Sequence, residues 1–208
     1  MTEDLSRKET IFNAATQLFA EKGYKDVTLK EIGKTAKISE PGIYRHYDRK
    51  VDILADIVDR FSVKLRGYLL TKEKVDRYIK TDTPRQLLQR CIGRFSEEDT
   101  LFMLRAYRIV YLEHFKFPKA LEIIKTQLHD ETAASIRYVL DSLVKRGDIP
   151  ACNTWFLSLL WTQSMFSGAL IWITQYFNGK PLEISAKEYN EVSDRIVEMV
   201  LTGQVPLD

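Results

Sequence analysis

The stretch "SEPGIYRHY", residues 39–47, concentrates polar chemistry in nine positions: a serine, a glutamate, two tyrosines, an arginine and a histidine. Hydroxyl, guanidinium and imidazole groups donate hydrogen bonds to anionic oxygens and base edges, but no nucleophile stands beside a base oriented by a third group. At 100° per residue, Ile43 and Tyr47 fall on one side of a short helix. Pro41, Tyr44 and Arg45 point broadly away, with Gly42 at the margin. One side would be fixed in a core while the other carries donors into a major groove.

Each outward residue has a task in that setting. Ser39, Glu40 and the N–H groups of the helix start would come nearest phosphate, and Glu40 could also accept from cytosine N4. Pro41 and Gly42 offer a small surface for a thymine methyl. Tyr44 suits a phosphate, Arg45 a guanine or phosphate, and Lys50 a phosphate at the start of the next helix. Thr28 and Lys30, at the head of the preceding helix, could clamp the flanking strand. Thr28 and Ser39 serve equally well as helix caps and nothing more.

Positioning falls to helices throughout; the pattern contains no convincing strand, and the expected fold is all-α with about nine helices. Ser6–x–x–Glu9 reads as a capping box opening the first helix, with Gly23 as its stop. Thr28–x–x–Glu31 opens the second, Ser39 the third, and Lys50 to about Lys72 the fourth. Thr83–Pro84 begins a fifth and Ser96 a sixth. Pro118 starts a stretch to Arg146 with a break expected near His129. Asn153 or Thr154 starts a long helix to Asn178, and Ser185–x–x–Glu188 the last.

The formal charge of +2 lies in the first quarter of the chain: residues 1–50 hold ten Lys/Arg against eight Asp/Glu, and the remainder 21 of each. That asymmetry fits an anionic partner. Enzymatic function finds no support. His46, His114 and His129 are scattered, and glycine-rich phosphate loops, HExxH and Gly-x-Ser-x-Gly are missing from the sequence. His129-Asp130-Glu131 are consecutive, so on a helix they point apart; neither a metal nor a cofactor is expected. Cys91 and Cys152 form no CxxC pair, which fits reduced thiols in a cytoplasmic chain, and "MTEDLSRKE" has no apolar signal core.

"VTLKEIGKTAKISEPGIYRHYDRKVDIL", preceded by "IFNAATQLFAEKGY", resembles the TetR (tetracycline-repressor-like) family of bacterial transcriptional regulators. The resemblance covers about residues 5–65, with the helix-turn-helix proper at 28–47. It implies that Thr28, Lys30, Ser39, Glu40, Pro41, Gly42, Tyr44, Arg45, His46 and Lys50 meet DNA, while Ile43 and Tyr47 pack inside. Lys37 departs from the family's usual turn glycine; at positive φ it would cost about 1 kcal/mol and would add a cation near DNA. The resemblance further implies that residues 66–208 form a helical effector-binding and dimerisation domain. The whole would then be a repressor acting as a homodimer on a palindromic operator and released by a small molecule.

Within that second domain, Phe102, Tyr107, Tyr111, Phe115, Trp161 and Trp172 could line an apolar pocket, with Arg105, Arg108, His114 or Gln163 as polar fixings. The same aromatics would serve equally as core. Between Ile149 and Gly179 the chain carries no charge. Helix 154–178 therefore suits a subunit interface formed with the last helix, using Trp155, Ser164, Ser167, Gly168, Ile171, Tyr189, Val192, Ile196 and Val200. A membrane-tethered or scaffolding protein is the rival, weakened by Gln163, Ser167 and Thr174 on one face. A DNA-binding regulator that senses no ligand is another.

Overall fold

The computed structural model describes residues 2–92, 95–178 and 186–203, with the backbone alone for 2–5, 186–190 and 193. Eleven α-helices and one π-helical stretch lie among the described residues, and no strand. They are α1 (Thr2–Lys22), α2 (Leu29–Ala36), α3 (Glu40–Tyr44), α4 (Lys50–Tyr68), α5 (Lys72–Tyr78) and α6 (Pro84–Arg90). Then follow α7 (Glu97–Glu113), α8 (Pro118–Ile123), the π-helix (Ile124–Glu131), α9 (Thr132–Arg146), α10 (Thr154–Asn178) and α11 (Ala186–Thr202). The excess over nine arises because α4 ends at Tyr68 and Thr71 caps the separate α5, while the 118–146 stretch is divided in three.

Most expected caps are in place. Thr83 and Gln86 form a reciprocal capping box, the Ser96 hydroxyl accepts from the Asp99 N–H, and Asn153 Oδ1 accepts from the Phe156 N–H. The Ser6 box is a correction: α1 begins at Thr2, so Ser6 lies inside the helix and its carbonyl accepts from Thr10. The box expected at Ser185 lies outside the described residues.

The chain divides into two compact units that do not follow one another in sequence. The first comprises residues up to Arg66 together with 95–124. Its core joins Ile11, Phe12 and Phe19 of α1 to Ile32, Ile43, Ile53, Ile57 and Phe61, all no more than 2% exposed. Each such side chain contributes about 1.5–3 kcal/mol by leaving water. Helices α7 and α8, expected with the C-terminal domain, belong to this unit, and the aromatics of α7 meet its core. Phe102 packs on Phe12, the Tyr107 ring stands edge-on to Phe61, and ion pairs join Lys64 to Asp99 and Lys119 to Asp59.

The second unit is built from residues 67–94 and 125–208. Val75, Leu87, Leu88, Ile136, Leu140, Leu143, Trp161, Val197 and Val200 form its core. Arg85 pairs with Glu198 at 2.5 Å, tying α6 to α11, and the Tyr138 hydroxyl donates to Asp76 at 2.8 Å, tying α9 to α5.

Candidate nucleic-acid interface

Local chemistry fixes the segment 28–50 step by step. Thr28 Oγ1 accepts from the Glu31 N–H at 3.2 Å, and Glu31 Oε2 accepts from the Thr28 N–H at 2.8 Å. That backbone hydrogen bond, reinforced by Lys22 at 3.0 Å, holds the Glu31 carboxyl down to about 2. The Thr28 hydroxyl also points its proton at Glu31, 3.0 Å away, so a phosphate contact from it would have to draw that proton off.

Helix α2 ends where Lys37 takes the left-handed conformation, φ 55° and ψ 38°. Its φ is the only positive one among described non-glycine residues. The turn then doubles back so tightly that the Ile38 N–H donates to the Gly33 carbonyl at 2.9 Å. A β-carbon at Gly33 would stand 2.6 Å from the Ile38 carbonyl oxygen, so glycine is required there by close approach. Ser39 caps α3, accepting from the Gly42 N–H at 3.3 Å, with Pro41 in the first turn.

The resulting helix is two-faced. Ile43 and Tyr47 are buried, whereas Ser39, Glu40, Pro41, Tyr44 and Arg45 are exposed and Gly42 and His46 half-buried. Thr28, Lys30 and Lys37 are exposed on the same segment. Lys50 is half-buried and already engaged: its ammonium donates to the Tyr24 and Val27 carbonyls, each at 2.8 Å, and sits 4.2 Å from the Tyr24 ring centroid. An ammonium has three donors, so one remains for a phosphate.

The sequence places Tyr47 in the core but leaves the role of its hydroxyl unread. It donates to Asp56 at 2.7 Å, and Asp56 also accepts from Arg60 at 2.9 Å. Burial pushes the Asp56 carboxyl up, but the hydrogen bonds from Tyr47 and Arg60 outweigh it and leave the carboxyl below its ordinary range. Burial, then the bond to Asp56, pushes the Tyr47 phenol far above its own. The signal was available: Asp56 and Arg60 are four apart, an ion-pair spacing along α4.

The proposed effector residues are not gathered in one unit. Phe102, Arg105, Tyr107, Arg108, Tyr111, His114 and Phe115 belong to the first unit; Trp161, Gln163 and Trp172 belong to the second. Tyr107 and Trp161 are core residues, and Tyr111, His114 and Phe115 stack on one another at the exposed end of α7. On α10, Phe156, Leu160, Gln163 and Ser167 form an exposed stripe at spacings of 4, 3 and 4. Trp155 and Val192 are exposed, Ser164, Ile171 and Ile196 half-buried, and Gly168 and Val200 buried within the chain. The Tyr189 side chain lies outside those described. Among the described residues, no group of three or more His, Cys, Asp or Glu could hold a metal ion.

Residues 11–57 match the family described as bacterial regulatory proteins, tetR family. A negative transcriptional regulator of a biofilm operon, IcaR of Staphylococcus epidermidis, is 31% identical over 132 residues, covering 60% of this chain and 66% of that protein. A helix-turn-helix transcriptional repressor of Mycobacterium tuberculosis is 24% identical over 114 residues, 55% of either chain. The chain thus spans about half the length of the mycobacterial relatives it matches. Among solved structures, a Saccharomonospora viridis transcriptional regulator in complex with choline superposes with TM-score 0.68 at 18% identity, covering 92% of this chain and 95% of that one. Salmonella enterica GusR gives TM-score 0.59 at 17% identity, with 97% and 96% covered.

Proposed function

Because this chain belongs to the TetR family of bacterial transcriptional regulators, a family of regulatory proteins rather than enzymes, we propose that it is a repressor that reads a palindromic operator as a homodimer. The observation that carries this reading is the division of residues 39–47: Ile43 and Tyr47 locked inside, Pro41, Tyr44 and Arg45 outside, at the end of a capped and tightly turned pair of helices. In this reading Tyr44 and Arg45 reach the groove. Lys30, Lys37 and the third donor of Lys50 neutralise phosphate, His46 donates a hydrogen bond to it, and the α3 start with Ser39–Gly42 sits against the backbone and base edges.

One reading helix covers only a few base pairs, so two are needed, spaced about 34–36 Å apart by a twofold axis. The charge-free stripe on α10 supports a second copy as the partner. In a bilayer the same face would set Gln163 and Ser167 against lipid, where each unmet polar group is costly. An effector acts, in this proposal, by favouring a state in which α4 tilts and carries Lys50 and the attached reading head out of register. The required condition is different affinity for the two states. That the fold accommodates choline in another protein supports a small-molecule effector of some kind. A cytoplasmic location follows from the DNA partner.

Selection of bound fragments from a random duplex pool by the purified protein tests the reading. A two-fold symmetric sequence should emerge, and it should be lost with Tyr44→Phe combined with Arg45→Ala. Recovery of an unenriched pool would refute it.

A further inference from the structure

The reading helix is short, and its far end is tied down by a chain of contacts that the DNA-facing residues do not use. Tyr47 is 5% exposed and follows α3 by three residues. Its hydroxyl donates to Asp56 Oδ2 on α4 at 2.7 Å. Arg60, one turn further along α4, donates through Nε to Asp56 Oδ1 at 2.9 Å and through Nη1 to Glu9 of α1 at 2.6 Å. The guanidinium lies 3.8 Å from the Phe12 ring centroid, and Lys8 of α1 reaches both the Asp56 carboxylate, at 3.9 Å, and the Tyr47 ring, at 5.0 Å. Three elements therefore converge on one half-buried carboxylate. An open groove of about 450 Å³ has Tyr47, Asp56 and Lys8 in its lining together with Arg45 and His46, which places the tie directly behind two outward residues of the reading segment.

The geometry points to Tyr47, Asp56, Arg60 and Glu9 as a positioning relay that sets the pose of the reading helix on α1 and α4, and so sets sequence discrimination rather than general DNA affinity. This rests on the DNA-reading proposal above. The physical reason is the division of labour at such interfaces. Phosphate contacts tolerate small rotations of a helix, whereas bidentate contacts to base edges do not. Ile43 holds α3 from one side by packing, which constrains distance more than rotation; the Tyr47–Asp56 hydrogen bond has the directional preference that fixes rotation. A hydrogen bond to a charged group is also among the stronger ones, and Arg60 keeps that carboxylate charged and aimed.

The test compares wild type with Tyr47→Phe, Asp56→Asn, the double variant and Glu9→Gln on two duplexes, the selected palindrome and a scrambled one, at fixed salt. Phenylalanine keeps the buried ring, so the fold is retained, which a thermal melt verifies. Because a dimer carries the relay twice, Tyr47→Phe should weaken binding to the palindrome about tenfold or more while changing the scrambled duplex less than about twofold. The double variant should lose no more than the larger single loss, and Glu9→Gln, at an exposed position that does not threaten folding, should shift the same ratio about two- to threefold. Unchanged discrimination in Tyr47→Phe, losses that multiply in the double variant, or equal weakening on both duplexes would overturn the relay. Unchanged discrimination in Glu9→Gln would overturn its extension to α1. Failure of the wild type to prefer any palindrome would instead sink the DNA-reading proposal, so the two failures are distinguishable.

Discussion

Gly33→Ala tests whether the turn between α2 and α3 is as tight as described. An added β-carbon would lie 2.6 Å from the Ile38 carbonyl oxygen, and real β-carbons essentially never approach within 3.0 Å, so backbone would have to retreat by about 0.4 Å merely to reach that limit. The contact is with main chain, not with the end of a flexible side chain. The same retreat stretches the Ile38 N–H to Gly33 carbonyl bond, now 2.9 Å. Alanine gains about 0.8–1 kcal/mol over glycine in a helix interior. Against this stand about 1–3 kcal/mol for overpacking and about 0.5–1.5 kcal/mol for a weakened hydrogen bond. The balance is a net loss of about 0.5–3.5 kcal/mol, with α3 displaced from its seat against α2. Urea denaturation followed by fluorescence would measure it, alongside affinity for the selected duplex. A variant as stable as wild type, with undiminished affinity, would refute the reasoning.

Lys37→Gly should do the opposite, raising stability by about 1 kcal/mol and the melting temperature by a few degrees, since φ 55° suits glycine better than a residue with a β-carbon. Thr28→Ala should cost about 1 kcal/mol through loss of the α2 cap, read by the same denaturation. Glu31 titrates near 4.5 when unfolded and at about 2 when folded, so its contribution is fully present above pH 4.5 and disappears as pH falls through 2. Wild type and Glu31→Gln should accordingly converge in stability over that window. Lys50→Met should lower the melting temperature as well as DNA affinity, because two carbonyls lose their donor; a loss of affinity with unchanged melting temperature would make Lys50 a phosphate contact alone.

Local chemistry was legible wherever one residue type performs one local act. Thr28, Thr83 and Ser96 announce helix starts because their hydroxyls replace missing backbone partners three residues on, and the two-sided character of residues 39–47 follows from angular arithmetic on Ile43 and Tyr47. What depends on distant parts of the chain was hidden. That α7 packs with α1 and α4 rests on Phe102 meeting Phe12 and Tyr107 meeting Phe61, pairings of separation that no periodicity encodes. Which side of α10 is buried, Gly168 included, depends on how the helix is rotated, and its largely apolar sequence carries little signal for that. Ser6 misled because a capping box within a run of good helix formers need not be where the helix begins.

Titration of the selected palindromic duplex with the purified chain, across a range of salt concentrations, tests the central claim most directly. Two chains should bind each duplex, with log affinity falling linearly in log salt concentration and a slope steeper for the wild type than for Lys30→Ala or Lys37→Ala. One chain per duplex, or an affinity indifferent to salt, would contradict the account.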